Sequence, residues 1–304
     1  MFAPLIAMQQ SPSRVLGANV RSDSVLSAVI AWAAVLLVGV GIAPEPLRAE
    51  SMVVLEAPGD FEDIRATTFD KKGHAIGNSS FEITTDEAGI HRMTVTMSVE
   101  DGGRNVSEAI LAPIAGAVTG SRNGGQALVP VGPTRTFRLL KEQSQATRAD
   151  GVSLDFLVID HASGRVSCYP PDRDLTKGRH IDLPEDDRVV NVPMQLLFRP
   201  LVSGEVKTVR FQIALCRDGP VLYKMVAVRG PKFVRDERKI VEIRYGPDLG
   251  NAFAWLASRV LPKFSFWFDA RDNSYLGHRM PLHRKGPEIL LVRQGLTPLD
   301  IKRK

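Results

Sequence analysis

A period of two governs most of this chain. In residues 91–100, Met93, Val95, Met97 and Val99 alternate with Arg92, Thr94, Thr96 and Ser98. Such alternation sends apolar side chains to one face of a strand and polar ones to the other. Phe81 and Ile83 alternate with Glu82 and Thr84 just upstream, and Asp86-Glu87-Ala88-Gly89 in between carries turn chemistry, so a hairpin is expected. The pattern returns at Val152, Leu154, Phe156 and Val158, at Val209, Phe211, Ile213 and Leu215, and at Val241, Ile243 and Tyr245. It returns again at Phe264, Phe266 and Phe268. Residues 221–228 are mostly apolar on both faces, and 289–292 form a last short strand. Gly, Asp, Asn and Pro punctuate these runs at short intervals, which predicts an antiparallel meander in a mainly β domain and excludes βαβ units.

Helix signals are few. Residues 192–201 predict one short helix, with Asn191 as its cap and Pro193 in its first turn. Residues 251–261 are a second candidate, stopped by Pro262, with Phe253, Trp255, Leu256 and Val260 as an apolar stripe. Residues 168–187 are polar and rich in Pro, Asp and Arg, and read as a loop forming a rim or lid.

The N-terminal region sets the compartment. Residues 24–44 carry no charge and follow Arg14 and Arg21. The segment is either a secretory signal cut after Ala49 or an uncleaved membrane anchor. Both place residues 50–304, read as a single β-rich domain, on the far side of the membrane, because the basic flank stays inside. In a bacterium that compartment is the periplasm, and an uncleaved segment would be the membrane contact. Cys168 and Cys216 form an even pair in an exported chain, which predicts a disulfide; two buried thiols are the alternative.

The sequence has no HExxH, GxSxG, phosphate loop or GxGxxG, so no metal, cofactor or enzymatic activity is expected. His278 and His283 fall in a stretch, 277–285, that reads as an exposed turn. Asp160-His161 reads as an ordinary turn, as do Asp269, Asp272 and Asn273. The formal net charge of +5 is spread along the chain, and the run 235–239 is mixed in sign, which argues against a nucleic-acid partner. The apolar residues are more informative. Met93, Met97, Met225, Phe264, Phe266 and Phe268 offer the lining of a pliable apolar cavity. A packed barrel or sandwich core is the alternative.

The order of these elements resembles a known family. The 81–100 hairpin is followed by Arg135-Thr136-Phe137-Arg138-Leu139-Leu140-Lys141-Glu142 and by Val158-Ile159-Asp160. Then come Ile181-Asp182-Leu183-Pro184-Glu185-Asp186-Asp187, Met194-Gln195-Leu196-Leu197-Phe198-Arg199 and Pro200-Leu201-Val202-Ser203-Gly204. Strand 209–215 and a closing Phe266-Trp267-Phe268-Asp269 complete the series. This succession resembles the bacterial exported family called domain of unknown function 3108. The resemblance implies a periplasmic antiparallel domain of curved-sheet or barrel-like form, distantly similar to the half-barrels that ferry lipids and lipoproteins. It implies no catalytic residues, and the helix candidate at 251–261 departs from the family's pattern. Three functions follow in order: a carrier of an apolar, lipid-like ligand, a structural or partner-binding envelope protein with a packed core, and a hydrolase of envelope polymers.

Overall fold

The computed structural model describes residues 53–57, 63–114, 135–184, 188–249 and 264–302. The expected signal or anchor segment and the helix candidate at 251–261 lie outside these residues. The first half of the chain contributes β1 (Val54–Ala57), β2 (Ile64–Phe69), β3 (Ala75–Thr85), β4 (His91–Ser98) and β5 (Arg104–Pro113). It continues with β6 (Arg135–Thr147), β7 (Phe156–Asp160), β8 (Arg165–Tyr169) and β9 (Arg179–Asp182). Two one-turn helices follow, α1 (Met194–Leu197) and α2 (Arg199–Ser203). The second half is β10 (Thr208–Cys216), β11 (Pro220–Arg235), β12 (Arg238–Pro247), β13 (Phe264–Asp269), β14 (Tyr275–Pro281), β15 (Glu288–Arg293) and the short α3 (Pro298–Ile301).

All fifteen strands of the described residues belong to one antiparallel sheet. Its order is β10 to β15 in sequence, then β2 to β9 in sequence, with β1 on the first part of β6. The two meanders join where β15 pairs with β2, Leu290 opposite Phe69 and Arg293 opposite Ala66. The expected mainly β meander is therefore what the chain forms. The 81–100 hairpin is present with Ile83 opposite Met93, and its turn is set locally. The Asp86 carboxylate accepts the Ala88 and Ile90 N–H groups at 2.9 Å, and Gly89 takes a φ of 77° that favours glycine.

The sheet curls strongly. Asn105 on β5 donates to the Leu282 carbonyl just beyond β14 (2.9 Å), although four strands lie between β5 and β14 in the sheet. Phe81 on β3 meets Tyr275 on β14 at a ring separation of 5.3 Å. The inner face carries the main core, including Phe81, Met93, Met97, Leu139, Phe211, Ile243, Phe266 and Leu291. A second cluster forms where the ends of the sheet overlap. Leu157 and Ile159 of β7 and Val166 and Cys168 of β8 pack on Ala214, with Cys216 and Leu222 against them. Ala214 and Cys216 point away from the inner-facing Phe211 and Ile213, so the inner face of β7–β8 covers the outer face of β10–β11. The Cys168–Cys216 disulfide, Cα atoms 5.7 Å apart, staples this overlap.

A third cluster lies on the outside, where Ile301 of α3 seats on Ile240, Trp267, Leu276, Leu290 and Val292. Gly277 makes room for it: a Cβ there would overlap the Leu291 carbonyl oxygen and stand 2.8 Å from Ile301 Cδ1.

Three expectations need correction. The 168–187 stretch is not all loop, because it holds the end of β8, a single 3₁₀ turn (Leu175–Lys177) and the edge strand β9. Gln145 ties it down by donating to the Pro171 carbonyl (3.0 Å) and accepting from Arg173 (2.8 Å). Residues 277–281 are not a turn but part of β14. Asn191 does not cap a helix, since α1 starts after Pro193 without a side-chain cap. Its amide instead spans the overlap, donating to the Ala214 carbonyl and accepting the Ala214 N–H at 2.7 and 2.8 Å.

Candidate functional site

The inner face is the candidate site, and the strands that build it bring the six expected lining residues together. Met93 and Met97 stand on β4, Met225 on β11, and Phe264, Phe266 and Phe268 on β13. Five of them are buried in the main core, and Phe264 packs half-buried at its rim. Alternation explains the placement on β4 and β13, where each residue belongs to a period-two run, whereas Met225 comes from a run without alternation and is placed by its pairing with Phe211.

Further aromatic residues extend this surface. Phe198, between α1 and α2, lies 5.7, 5.6 and 5.2 Å from the rings of Phe211, Tyr245 and Phe266. Tyr245 reaches Phe264 at 5.1 Å. Both short helices lie against the inner face and bury Met194, Leu196, Leu197, Leu201 and Val202. At β10–β13 the interior is thus packed around Phe198, which favours a filled core there over an open cavity. Arg229 ties down the end of α2 by donating to the Val202 carbonyl at 2.8 Å.

His278 is the residue that the sequence placed wrongly. It is 3% exposed, stacked on Phe266 at 4.8 Å and edge-on to Phe81 at 6.3 Å. The Tyr275 hydroxyl lies 2.6 Å from its Nδ1, while its Nε2 has no hydrogen-bond partner among the described residues. Burial pushes the imidazole down from 6.5 to about 3 and raises the Tyr275 phenol well above 10, so both are neutral at ordinary pH. Two other polar pairs, one buried and one half-buried, share this face. Thr68 and Ser79 hydroxyls bond at 2.9 Å, and Ser107 donates to Asn105 Oδ1 at 3.1 Å.

A separate polar knot closes the overlap. Glu142 on β6 is buried; one of its oxygens lies 3.1 Å from His161 Nε2, and the other accepts the Asn191 and Val192 N–H groups at 2.7 and 2.5 Å. His161 follows β7 in a turn, as expected, but its ring is buried, not exposed. Asp269 and Asp272 close the turn after β13, where the Asp269 carboxylate binds Arg238 and Arg271. Among the described residues, no group of three or more His, Cys, Asp or Glu is arranged to hold a metal ion.

No family model matches this chain, so the resemblance to domain of unknown function 3108 is not shown. No curated protein matches it either. Among solved structures it is similar to a crystal structure of a β-barrel-like protein of domain of unknown function DUF1849 from Brucella abortus. That match has 11% identity and a TM-score of 0.40, and covers 83% of this chain and 99% of the other.

Proposed function

We propose that this chain is a non-enzymatic periplasmic protein of the bacterial envelope that binds an apolar, lipid-like ligand on the inner face of its curled sheet. One observation carries the reading: methionines and aromatic rings from β3, β4, β11, β13 and β14 gather in one buried apolar cluster on the inner face. Methionine is flexible and polarisable, and suits a surface that adapts to acyl chains. The charge-free segment 24–44 supports export, and the Cys168–Cys216 bridge suits an oxidising compartment.

The test is native mass spectrometry of detergent-free protein, followed by titration of the delipidated protein with a fluorescent fatty acid. Copurified lipid, or saturable uptake of the probe, is the expected result. A ligand-free protein that also fails to take up the probe refutes the reading.

The second reading is a partner-binding envelope protein with a packed core. The Phe198 contacts favour it, since they fill the inner face at β10–β13. It predicts no probe uptake, and recovery of an envelope complex on the intact protein.

A further inference from the structure

We infer that a band of polar side chains on the inner face, buried except at its Asn105 end and centred on His278, receives the polar end of an amphiphilic ligand bearing a neutral carbonyl oxygen, as in an ester or amide. The inference rests on the reading that this face takes an apolar chain, and it names where the head of that ligand sits.

Strand register assembles the band. His278 on β14 stands opposite Leu291 on β15, which stands opposite Thr68 on β2. Ser79 on β3 stands opposite Met97 on β4, which stands opposite Asn105 on β5. The Thr68–Ser79 hydrogen bond links the two rows. Directly opposed residues share a face, and Leu291 and Met97 belong to the inner core. His278, Thr68, Ser79 and Asn105 therefore cross six adjacent strands inside an otherwise apolar surface. A core that needed only packing would be served by apolar residues, because each buried polar group costs desolvation unless it is fully bonded.

The band is satisfied internally except at one atom. Thr68 bonds Ser79, and Asn105 bonds Ser107 and the Leu282 carbonyl. Among the described residues, His278 alone in the band keeps an unpartnered nitrogen, Nε2. Its chemistry follows from its neighbour. A phenol is the stronger acid and imidazole the stronger base, so the Tyr275 hydroxyl donates to Nδ1 and the proton of the neutral ring sits on Nε2. What is left over is an N–H donor, walled by the rings of Phe266 and Phe81. It requires an acceptor, and the apolar wall disfavours a charged one. A carbonyl oxygen meets both conditions, with the acyl chain lying along Met97 and the apolar side chains of β4 beside it.

The experiment compares two probes on full-length, delipidated protein: a pyrene-labelled fatty-acid methyl ester and a pyrene-labelled alkane of equal length. The wild type should bind the ester about 5- to 10-fold more tightly, the increment of one buried hydrogen bond. His278→Phe should lose that preference and bind the alkane as the wild type does. Equal affinity of the wild type for both probes, or an unchanged preference in His278→Phe, overturns the polar anchor and leaves apolar binding standing. Binding of neither probe overturns both readings. Should His278→Phe fail to fold, nitrogen NMR of the wild type decides instead. The ester must then shift the His278 Nε2 resonance and the alkane must not; identical spectra overturn the anchor.

Discussion

Acidification should unfold this protein earlier than its carboxylates alone would allow, through His278. Burial holds the folded imidazole near 3, against 6.5 when exposed. Below 6.5 the unfolded chain takes up a proton that the folded chain refuses, so stability falls as pH falls, from about 6.5 down to about 3. Each unit within that window costs about 1.4 kcal/mol. Between pH 7 and pH 5 the loss is about 2 kcal/mol, and its ceiling at pH 3 is about 5 kcal/mol. Asp150, Asp174 and Asp300 are held below their ordinary range by hydrogen bonds and neighbouring cations, so they titrate beneath the pH 5–7 interval. His91 is also lowered, by burial and then by Arg135, and adds to the slope in the same direction. The assay is therefore a difference: urea unfolding of wild type and His278→Phe at pH 7 and pH 5. The variant starts less stable, because the Tyr275 hydroxyl loses its partner, but its stability should fall by about 2 kcal/mol less over the interval. Equal pH dependence in the two proteins would refute the reasoning.

Three other perturbations test the packing. Gly277→Ala forces a methyl group against the Leu291 carbonyl and Ile301, and should cost about 1–3 kcal/mol while raising hydrogen exchange at 296–302; unchanged exchange there counts against the seating of α3. Replacing Cys168 and Cys216 together by Ser releases a link across 48 residues of sequence and should lower stability by about 4 kcal/mol, with the reduced wild type matching the variant in urea; a reduced wild type as stable as the oxidised one refutes this. Glu142→Gln puts an amide where a carboxylate accepts the Asn191 and Val192 N–H groups and meets His161. It should cost about 2–4 kcal/mol and raise exchange at 188–203 but not in β3–β5; a uniform rise would show that the knot is not local to the overlap.

The legible part of this fold was the part that repeats locally. The runs at Met93–Val99, Val209–Leu215 and Phe264–Phe268 showed their faces because alternation needs only neighbours in sequence. Strand β14 was hidden because Gly277 and Pro281 read as turn residues. Gly277 is there for a contact with Ile301 that no local window contains. His278 was misplaced for the same reason: its walls come from β3 and β13 and its partner from its own strand. Strand β9 is a short edge strand of mixed polarity, and its sequence, Arg-His-Ile-Asp, gives little pattern to read. Five of the six candidate lining residues reach the inner face through alternating runs, whereas Phe198 sits between two short helices, where no such alternation exists.

The overlap is where a sheet of this order differs from a simple meander. Everywhere else, adjacent strands are held by ladders that form between neighbours in the sheet. At the overlap, β10 turns a free edge toward the other end of the chain, and an unpaired edge invites association with other chains. The protein covers it with a short segment: Gln212 exchanges backbone bonds with Arg188 and Val190, and Ala214 bonds the Asn191 side chain. Glu142 then fixes that segment to β6, and the disulfide fixes β8 to β10. The same segment leads straight into α1 and α2, which fill the inner face around Phe198. Closure of the edge and filling of the interior are thus one structural event. A change that loosens Glu142 should act on both, and a ligand that competes with Phe198 for the inner face would do so by pulling on the cover of β10.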